Sequence, residues 1–410
     1  MSRSSRENFS RRVFFPWIAL WSALLIAGLY AGYTCLRFGL NRTNMDNQFG
    51  FGLWIFLDLA VIALGAGAFF TGFLFYIMRR KELEDVIGSA VVIGLACYSG
   101  AILALLVDVG QPLRAWFTFW HPNAHSMLAE VTFCITCYLL VLVVEYIPLL
   151  LRHRRLSRVP SLLVFEGELH RVMPVLAGVG ACLSFFHQGS LGGLYGVLDG
   201  RPFAARAGLG PFPTTFFLFV LSSIAVGPSF LLLINKLTET ITRKRLASRS
   251  TYGLLARISG WLLAVYGACK CVDTLYWLNA AVPATGVVPR SFYIHPPFGV
   301  WILLVEVGLC CGVPAVILCS GRLRARQPLT VLAASLACLG VVINRFAMTI
   351  QTLALPTLPF DDFSIYLPSW QETLLFVGIA AWGVLLFSLS YRYLPLYPRV
   401  RSKAGETTAR

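Results

Sequence analysis

The sequence predicts an all-α integral membrane protein: about ten transmembrane helices, arranged as two parallel-repeat four-helix bundles plus two flanking helices, with both termini cytoplasmic. Three observations carry that expectation. Of 410 residues, 57% are hydrophobic and 13% charged, with a mean hydropathy of +0.71, far outside the composition of a soluble domain. Basic residues recur in every second loop. Two long stretches of the chain echo each other in order.

The windows come first. A bilayer core of ~30 Å needs roughly 20 apolar residues in a helix. Windows of that size, bounded by charge, proline or turn residues, run near Phe14–Arg37, Gly52–Met78, Val86–Gly110, His125–Leu151, Arg171–Val197, Thr214–Lys236, Gly253–Ala281, Pro296–Ser320, Pro328–Leu355 and Gln371–Tyr393. Arg3, Arg6, Arg11 and Arg12 precede the first window as in a signal peptide, but its apolar run is too long and lacks a small-residue cleavage site. It reads as a retained helix.

The net charge of +15 is topological. The N-terminus, Arg79–Lys81, Arg152–Arg158, Arg243–Arg249, Arg322–Arg326 and the C-terminal tail hold about 22 Lys and Arg, and the intervening loops about 5, namely Arg42, Arg114, Arg201, Arg206 and Arg290. The positive-inside rule therefore puts both termini in the cytoplasm of a bacterium and the protein in its inner membrane as a multi-pass chain. No basic stripe is interleaved with surface aromatics, so a nucleic-acid partner is not expected; membrane lipid is. The 11 cysteines fall in apolar windows and read as small buried hydrophobes. Cys134 and Cys137 form a C-x-x-C, but Tyr138 follows where covalent haem attachment needs His.

The repeat comes next. Ile62-Ala-Leu-Gly65 parallels Ile224-Ala-Val-Gly227; Asp108 parallels Asp273; Glu130-Val-Thr-Phe-Cys134 parallels Glu306-Val-Gly-Leu-Cys310; Val175-Leu-Ala and Ala181-Cys-Leu parallel Val331-Leu-Ala and Ala337-Cys-Leu. Four helices separate the copies. An even number gives both repeats the same orientation, related by an axis along the membrane normal. The organisation expected is an N-terminal tail, flanking helix and periplasmic loop over 1–51, a first four-helix bundle over 52–197, a second over 198–355, and a loop, last helix and basic tail over 356–410.

Ionisable residues inside a span cost at least ~2.5–3.5 kcal/mol at the bilayer centre, so each needs a partner or a task. With the topology above, Asp58, Asp108, Glu130, His187, Lys270, Asp273 and Arg345 lie in the outer halves of their helices, Glu145 and Arg257 toward the cytoplasm, and Glu306 near the midplane. A cluster on the periplasmic side suits a quinone site, where two electrons and two protons are exchanged and a titratable group must face the head-group oxygens. Glu130 and His187 are the candidates for that proton transfer, a carboxylate and an imidazole in apolar surroundings. The structural alternative is that these groups are interhelical hydrogen bonds and ion pairs. Lys270 and Asp273, one turn apart, could neutralise each other, and Arg345 could snorkel or serve as a counter-charge. His121 and His125 lie at the aqueous interface. A b-type haem needs facing axial ligands; His187 alone is deep, so neither haem nor metal is expected.

Several motifs in order, Leu57-Asp58 through Gly65-Ala-Gly67, Leu106-Val-Asp108-Val-Gly110-Gln-Pro112, His125-Ser126-x-x-x-Glu130-Val131, Glu145-Tyr146, Leu183-Ser184-x-x-His187-Gln188-x-Ser190-Leu191-Gly192, Gly340-x-x-x-Asn344-Arg345 and Tyr366-x-Pro368-Ser369-Trp370-x-Glu372, resemble the NrfD family of membrane subunits, in particular its ten-helix HybB-type branch. The likeness covers most of the chain. It implies a protein without its own prosthetic group that exchanges electrons between menaquinone or ubiquinone and a periplasmic ferredoxin-like multi-cluster iron–sulfur subunit, in a respiratory complex with further redox subunits of cytochrome c, hydrogenase or molybdopterin type. It also implies a quinone pocket formed by Glu130, His187, Asp108 and Asp58, with His125 and Arg345 as further candidates. A proton path would run through Glu145, Glu306 and Asp273. One departure is Gln111, where the family pattern has Arg between Gly and Pro; Arg114 is the nearest substitute.

Two competing readings remain. Duplicated bundles with buried charges also occur in secondary transporters, which would hold polar sites at the midplane with access from both sides. A passive anchor for a redox complex would need no buried acids at all.

Overall fold

The computed structural model describes residues 11–123, 125–153, 155–196, 208–209, 212–276, 279, 304–350, 353 and 364–397. The loop arginines Arg201, Arg206 and Arg290, the start of the eighth window at 296–303 and the basic tail beyond Tyr397 lie outside the described residues.

Nine helices among the described residues are long and apolar enough to cross a membrane, and a shorter apolar stretch, Leu304–Cys319, accompanies them. The chain is a multi-pass membrane protein. In chain order the helices are α1 (Arg11–Phe38), α2 (Leu53–Gly72), α3 (Glu84–Asp108), α4 (Met127–Leu151), α5 (Pro160–Gly196), α6 (Thr214–Thr242), α7 (Arg249–Tyr276), α8 (Val313–Cys319), α9 (Gln327–Thr349) and α10 (Trp370–Tyr393). A π-helical turn, Phe73–Ile77, extends α2, and a longer π segment, Leu304–Gly312, leads into α8. All ten windows thus meet helix. The one β element among the described residues is a two-residue antiparallel pairing of Gly208–Leu209 with Phe212–Pro213.

Each set of four inner helices closes on itself. In the first, α2 packs on α3, α3 on α4, α4 on α5 and α5 back on α2; in the second, α6 packs on α7, α7 on α8, α8 on α9 and α9 back on α6. The sets meet along α2, which also packs on α6 and α9, and along α5 against α6. The flanking pair is α1 and α10, which lie against each other, with α10 also covering α3. Only small residues permit the central crossing: a Cβ added to Gly227 would sit 2.6 Å from Gly67 Cα. Such backbone approach is how helices associate where lipid supplies no hydrophobic drive.

The basic loops after α2 and α6 turn alike, each at an arginine in the left-handed region, Arg79 (φ 55°) and Arg243 (φ 53°). Asp85, at the start of α3, accepts from Ser248 N (2.9 Å) and Thr251 Oγ1 (3.1 Å) and so caps α7 across the bundles. After α10, Tyr397 donates to Asn235 Oδ1 on α6 (2.6 Å), and burial pushes its phenol up from the usual range. All these contacts lie at the end that the charge distribution assigns to the cytoplasm.

All 11 cysteines are free thiols. Most are buried as expected, but Cys182, Cys269 and Cys271 are exposed on helix faces that the bundle leaves to lipid. A thiol is apolar enough for lipid, so position in an apolar window did not imply burial in protein.

Candidate functional site

Polar side chains inside the first bundle collect around Tyr98 in the middle of α3. Its Oη lies 2.6 Å from Ser184 Oγ on α5, and its ring meets Tyr138 of α4 edge-on at 4.4 Å and His187 of α5 at 6.0 Å. Gln188 lies beside it. His187 is fully buried against the Val131 backbone, and neither ring nitrogen makes a hydrogen bond of normal geometry among the described residues. Tyr138 Oη and Ser190 Oγ are buried and unpartnered in the same way. Leaving such groups unpaired costs about 1–3 kcal/mol each, so each calls for a partner beyond the described side chains, an ordered water or a bound molecule.

Toward the end of α3 the cluster continues into two carboxylates. Asp58 is 1% exposed with Oδ1 unpartnered among the described residues, and its charge and that of Asp108 act on each other and on Tyr195. Asp108 is half-buried in the last turn of α3 and accepts from Trp54 Nε1 at 2.6 Å. The helix stops there because Gly110 takes a left-handed conformation (φ 68°), which glycine adopts without strain. Trp54 and Asp58, four residues apart, share one face of α2.

The sequence candidates are distributed as follows. Asp58, Asp108 and His187 belong to this cluster. Glu130 is half-buried in the first turn of α4, one residue before the Val131 backbone that faces His187; no hydrogen bond joins Glu130 to His187 among the described residues. His125 is exposed in the turn before α4, and its backbone N donates to Asn123 Oδ1 (3.0 Å). Arg114, the substitute for the missing loop arginine, is exposed. Glu145 lies lower on α4, within electrostatic range of Tyr138 and Tyr76.

Arg345, Glu306 and Asp273 belong to the second bundle. Arg345 is 1% exposed and does not snorkel: it donates to Asn344 Oδ1 (2.6 Å), Ser222 Oγ (2.8 Å), Ser223 Oγ (3.3 Å) and the Phe219 carbonyl (3.2 Å), with its guanidinium 3.7 Å over the Phe219 ring. Asn344 Nδ2 donates in turn to Glu306 Oε1 (2.7 Å). Asp273 accepts from Thr214 Oγ1 (2.8 Å) rather than from Lys270, so the expected neutralisation within one turn of α7 gives way to a contact between helices. Small voids flank the Glu306–Asn344 bond, one lined by Tyr266, Cys310 and Cys311, the other by Lys270, Thr215 and Met348. They hold little more than water, and Glu306 Oε2, Thr215 Oγ1 and Arg345 Nε are buried there without a partner among the described residues.

The two clusters are joined. Ser223 Oγ, which accepts from Arg345, donates to Gln188 Oε1 at 2.7 Å, and Phe219 lies between the Arg345 guanidinium and the stacked ring of Tyr195 (6.5 Å). Charge patterning had pointed to the ionisable members only. Trp54, Tyr98, Tyr138, Ser184, Gln188 and Tyr195 were missed because neutral hydroxyls and aromatics pass unnoticed in apolar windows; Ser184 and Gln188 could have been found from their adjacency to His187 in one motif.

Comparison with known proteins adds the following. Residues 41–356 match the family described as polysulphide reductase, NrfD. A protein of Nitratidesulfovibrio vulgaris named "Menaquinone reductase, integral membrane subunit" is 48% identical over 394 residues, 96% of this chain and 94% of that one. The "Probable Ni/Fe-hydrogenase 2 b-type cytochrome subunit" of Escherichia coli is 24% identical over 398 residues (95% and 92%), and a selenate reductase subunit of Mesobacillus selenatarsenatis is 22% identical over 429 residues (93% and 94%).

Proposed function

This chain belongs to the NrfD family, and we propose from that premise that it is the quinone-reactive membrane subunit of a bacterial respiratory oxidoreductase, exchanging electrons between the quinone pool and a periplasmic iron–sulfur subunit. Several relatives are named as subunits of redox enzymes, one of them a menaquinone reductase. The observation that carries the proposal is the set of buried, unpartnered polar atoms around Tyr98. A quinone brings two carbonyl oxygens and accepts two electrons with two protons. His187, Asp58, Tyr138 and Ser190 offer donors and acceptors that no described residue satisfies, which fits such a head group.

In this reading His187 and Tyr98 hydrogen-bond a quinone oxygen. Glu130, at the periplasmic mouth of α4, takes or gives the proton, and Asp58 and Asp108 tune the charge of the pocket. Apolar walls keep bulk water out, so the protons must travel along side chains. One route would follow Glu145, Tyr138 and Tyr98, which come in that order from the basic end toward the pocket, Glu145 within electrostatic range of Tyr138 and Tyr138 edge-on to Tyr98. Glu306 is a candidate for a second, its carboxylate held toward the pocket by the hydrogen-bond chain Asn344, Arg345, Ser223 and Gln188, and Asp273, bonded to Thr214 outside that chain, is a further candidate. Such routes would let turnover move protons across the membrane.

The test is Glu130→Gln in the purified complex. Assembly should be kept and quinone-coupled turnover lost; full activity would sink the assignment. The voids beside Glu306 are the feature that favours the transporter reading, and substrate counterflow in vesicles containing this chain alone would support it.

A further inference from the structure

Glu372, in the first turn of α10, is 1% exposed and takes no part in the pocket, yet its carboxylate collects donors from three separate pieces of chain. Oε2 accepts from Asn44 N (3.3 Å), Ser369 N (2.8 Å) and Ser369 Oγ (2.8 Å); Oε1 accepts from Leu53 N (3.1 Å) and the Tyr366 hydroxyl. With Ser369 it forms a capping box for its own helix. The same carboxylate also caps α2, because Leu53 is the first residue of that helix and its N–H has no partner within it.

The cap reaches the pocket through Trp54. A Cβ added to Gly52 would lie 2.9 Å from both Glu372 Oε1 and Trp54 Cε2, so carboxylate and indole close on Gly52 together. Trp54 then donates to Asp108, and Asp58 follows one turn further along the same face of α2. We infer that Glu372 is a positioning residue for the Asp58–Asp108 pair, holding the first turn of α2 so that Trp54 can orient Asp108. The inference rests on the reading of that pair as part of the quinone pocket.

The experiment uses the purified complex and a short-chain naphthoquinone, measuring Kd together with KM and kcat for wild type, Glu372→Gln, Trp54→Phe, the double variant, and Asp58→Asn and Asp108→Asn. Gln presents one accepting oxygen and an NH2 group that faces N–H donors, so the clamp should loosen while volume is kept. Glu372→Gln and Trp54→Phe should each weaken binding ~10-fold, and the double variant should be no worse than the weaker single, since residues acting through one path are not additive. Additive losses, or a Kd within about twofold of wild type in Glu372→Gln while Asp108→Asn binds weakly, would overturn the inference and leave the pocket intact. Unchanged binding in both Asp58→Asn and Asp108→Asn would remove the pocket reading itself. Should Glu372→Gln fail to assemble, Tyr366→Phe and Ser369→Ala each remove one donor, and graded loss of affinity in them carries the inference; wild-type affinity in both overturns it.

Discussion

Tyr98 Oη and Ser184 Oγ lie 2.6 Å apart, buried between α3 and α5, with the rings of Tyr138 and His187 4.4 Å and 6.0 Å from the tyrosine ring. On the route proposed above, a proton passing from Tyr138 to the imidazole would cross this hydroxyl pair. Tyr98→Phe keeps the ring packing and removes the hydroxyl, so it should lower quinone-coupled turnover by ~100-fold, in the range of a lost proton-transfer group, with assembly unaffected. Steady-state kinetics of the purified complex check this.

Glu145 tests the same route from its other end. Glu145→Gln should leave naphthoquinone binding unchanged and slow turnover, because the pocket is intact and its proton supply is not. Stopped-flow measurement of quinone reduction, with and without an imposed pH gradient across proteoliposomes, separates the two effects.

The second bundle depends on Arg345. Arg345→Met leaves Asn344 Oδ1 and the serine hydroxyls without their donor, and breaking a buried charged network typically costs ~3–5 kcal/mol. Glu306→Gln keeps an oxygen that can accept from Asn344 and should cost far less. Thermal unfolding in detergent should rank the two variants in that order.

At the crossing of α2 and α6, Gly227→Leu would drive a side chain into the Gly67 backbone. Overpacking of this kind costs about 1–3 kcal/mol, so yield and Tm should both fall. An alanine on the lipid-facing side of α6 at Phe217 gives the comparison.

The helices were legible because apolar windows and alternating basic loops are long-range, redundant signals. Leu304–Cys319 shows the limit: its window was found, yet nothing in composition marks a π-helical opening. Candidate residues were legible when charged. Asp58, Asp108 and His187 do share a cluster, while Arg345 and Glu306 pack in the other bundle. The sequence could not separate these sets, since depth along a helix axis says nothing about which neighbour a side chain faces. Trp54 and Glu372 matter through hydrogen bonds to residues 54 and 319 positions away, and no local pattern encodes such pairs.

Orientation has its own check. The alternating basic loops predict a cytoplasmic C-terminal tail, so a C-terminal green fluorescent protein fusion should fluoresce and an alkaline phosphatase fusion should be inactive; the reverse pair would invert the topology.

The most direct measurement is photolabelling of the purified complex with an azido-naphthoquinone, followed by peptide mapping of the adduct. The account predicts labelling on α2 to α5 near Asp58, Tyr98 and His187, competed by unlabelled quinone. Competed labelling confined to α6 to α9 around Glu306 and Lys270, or no competed labelling at all, would contradict it.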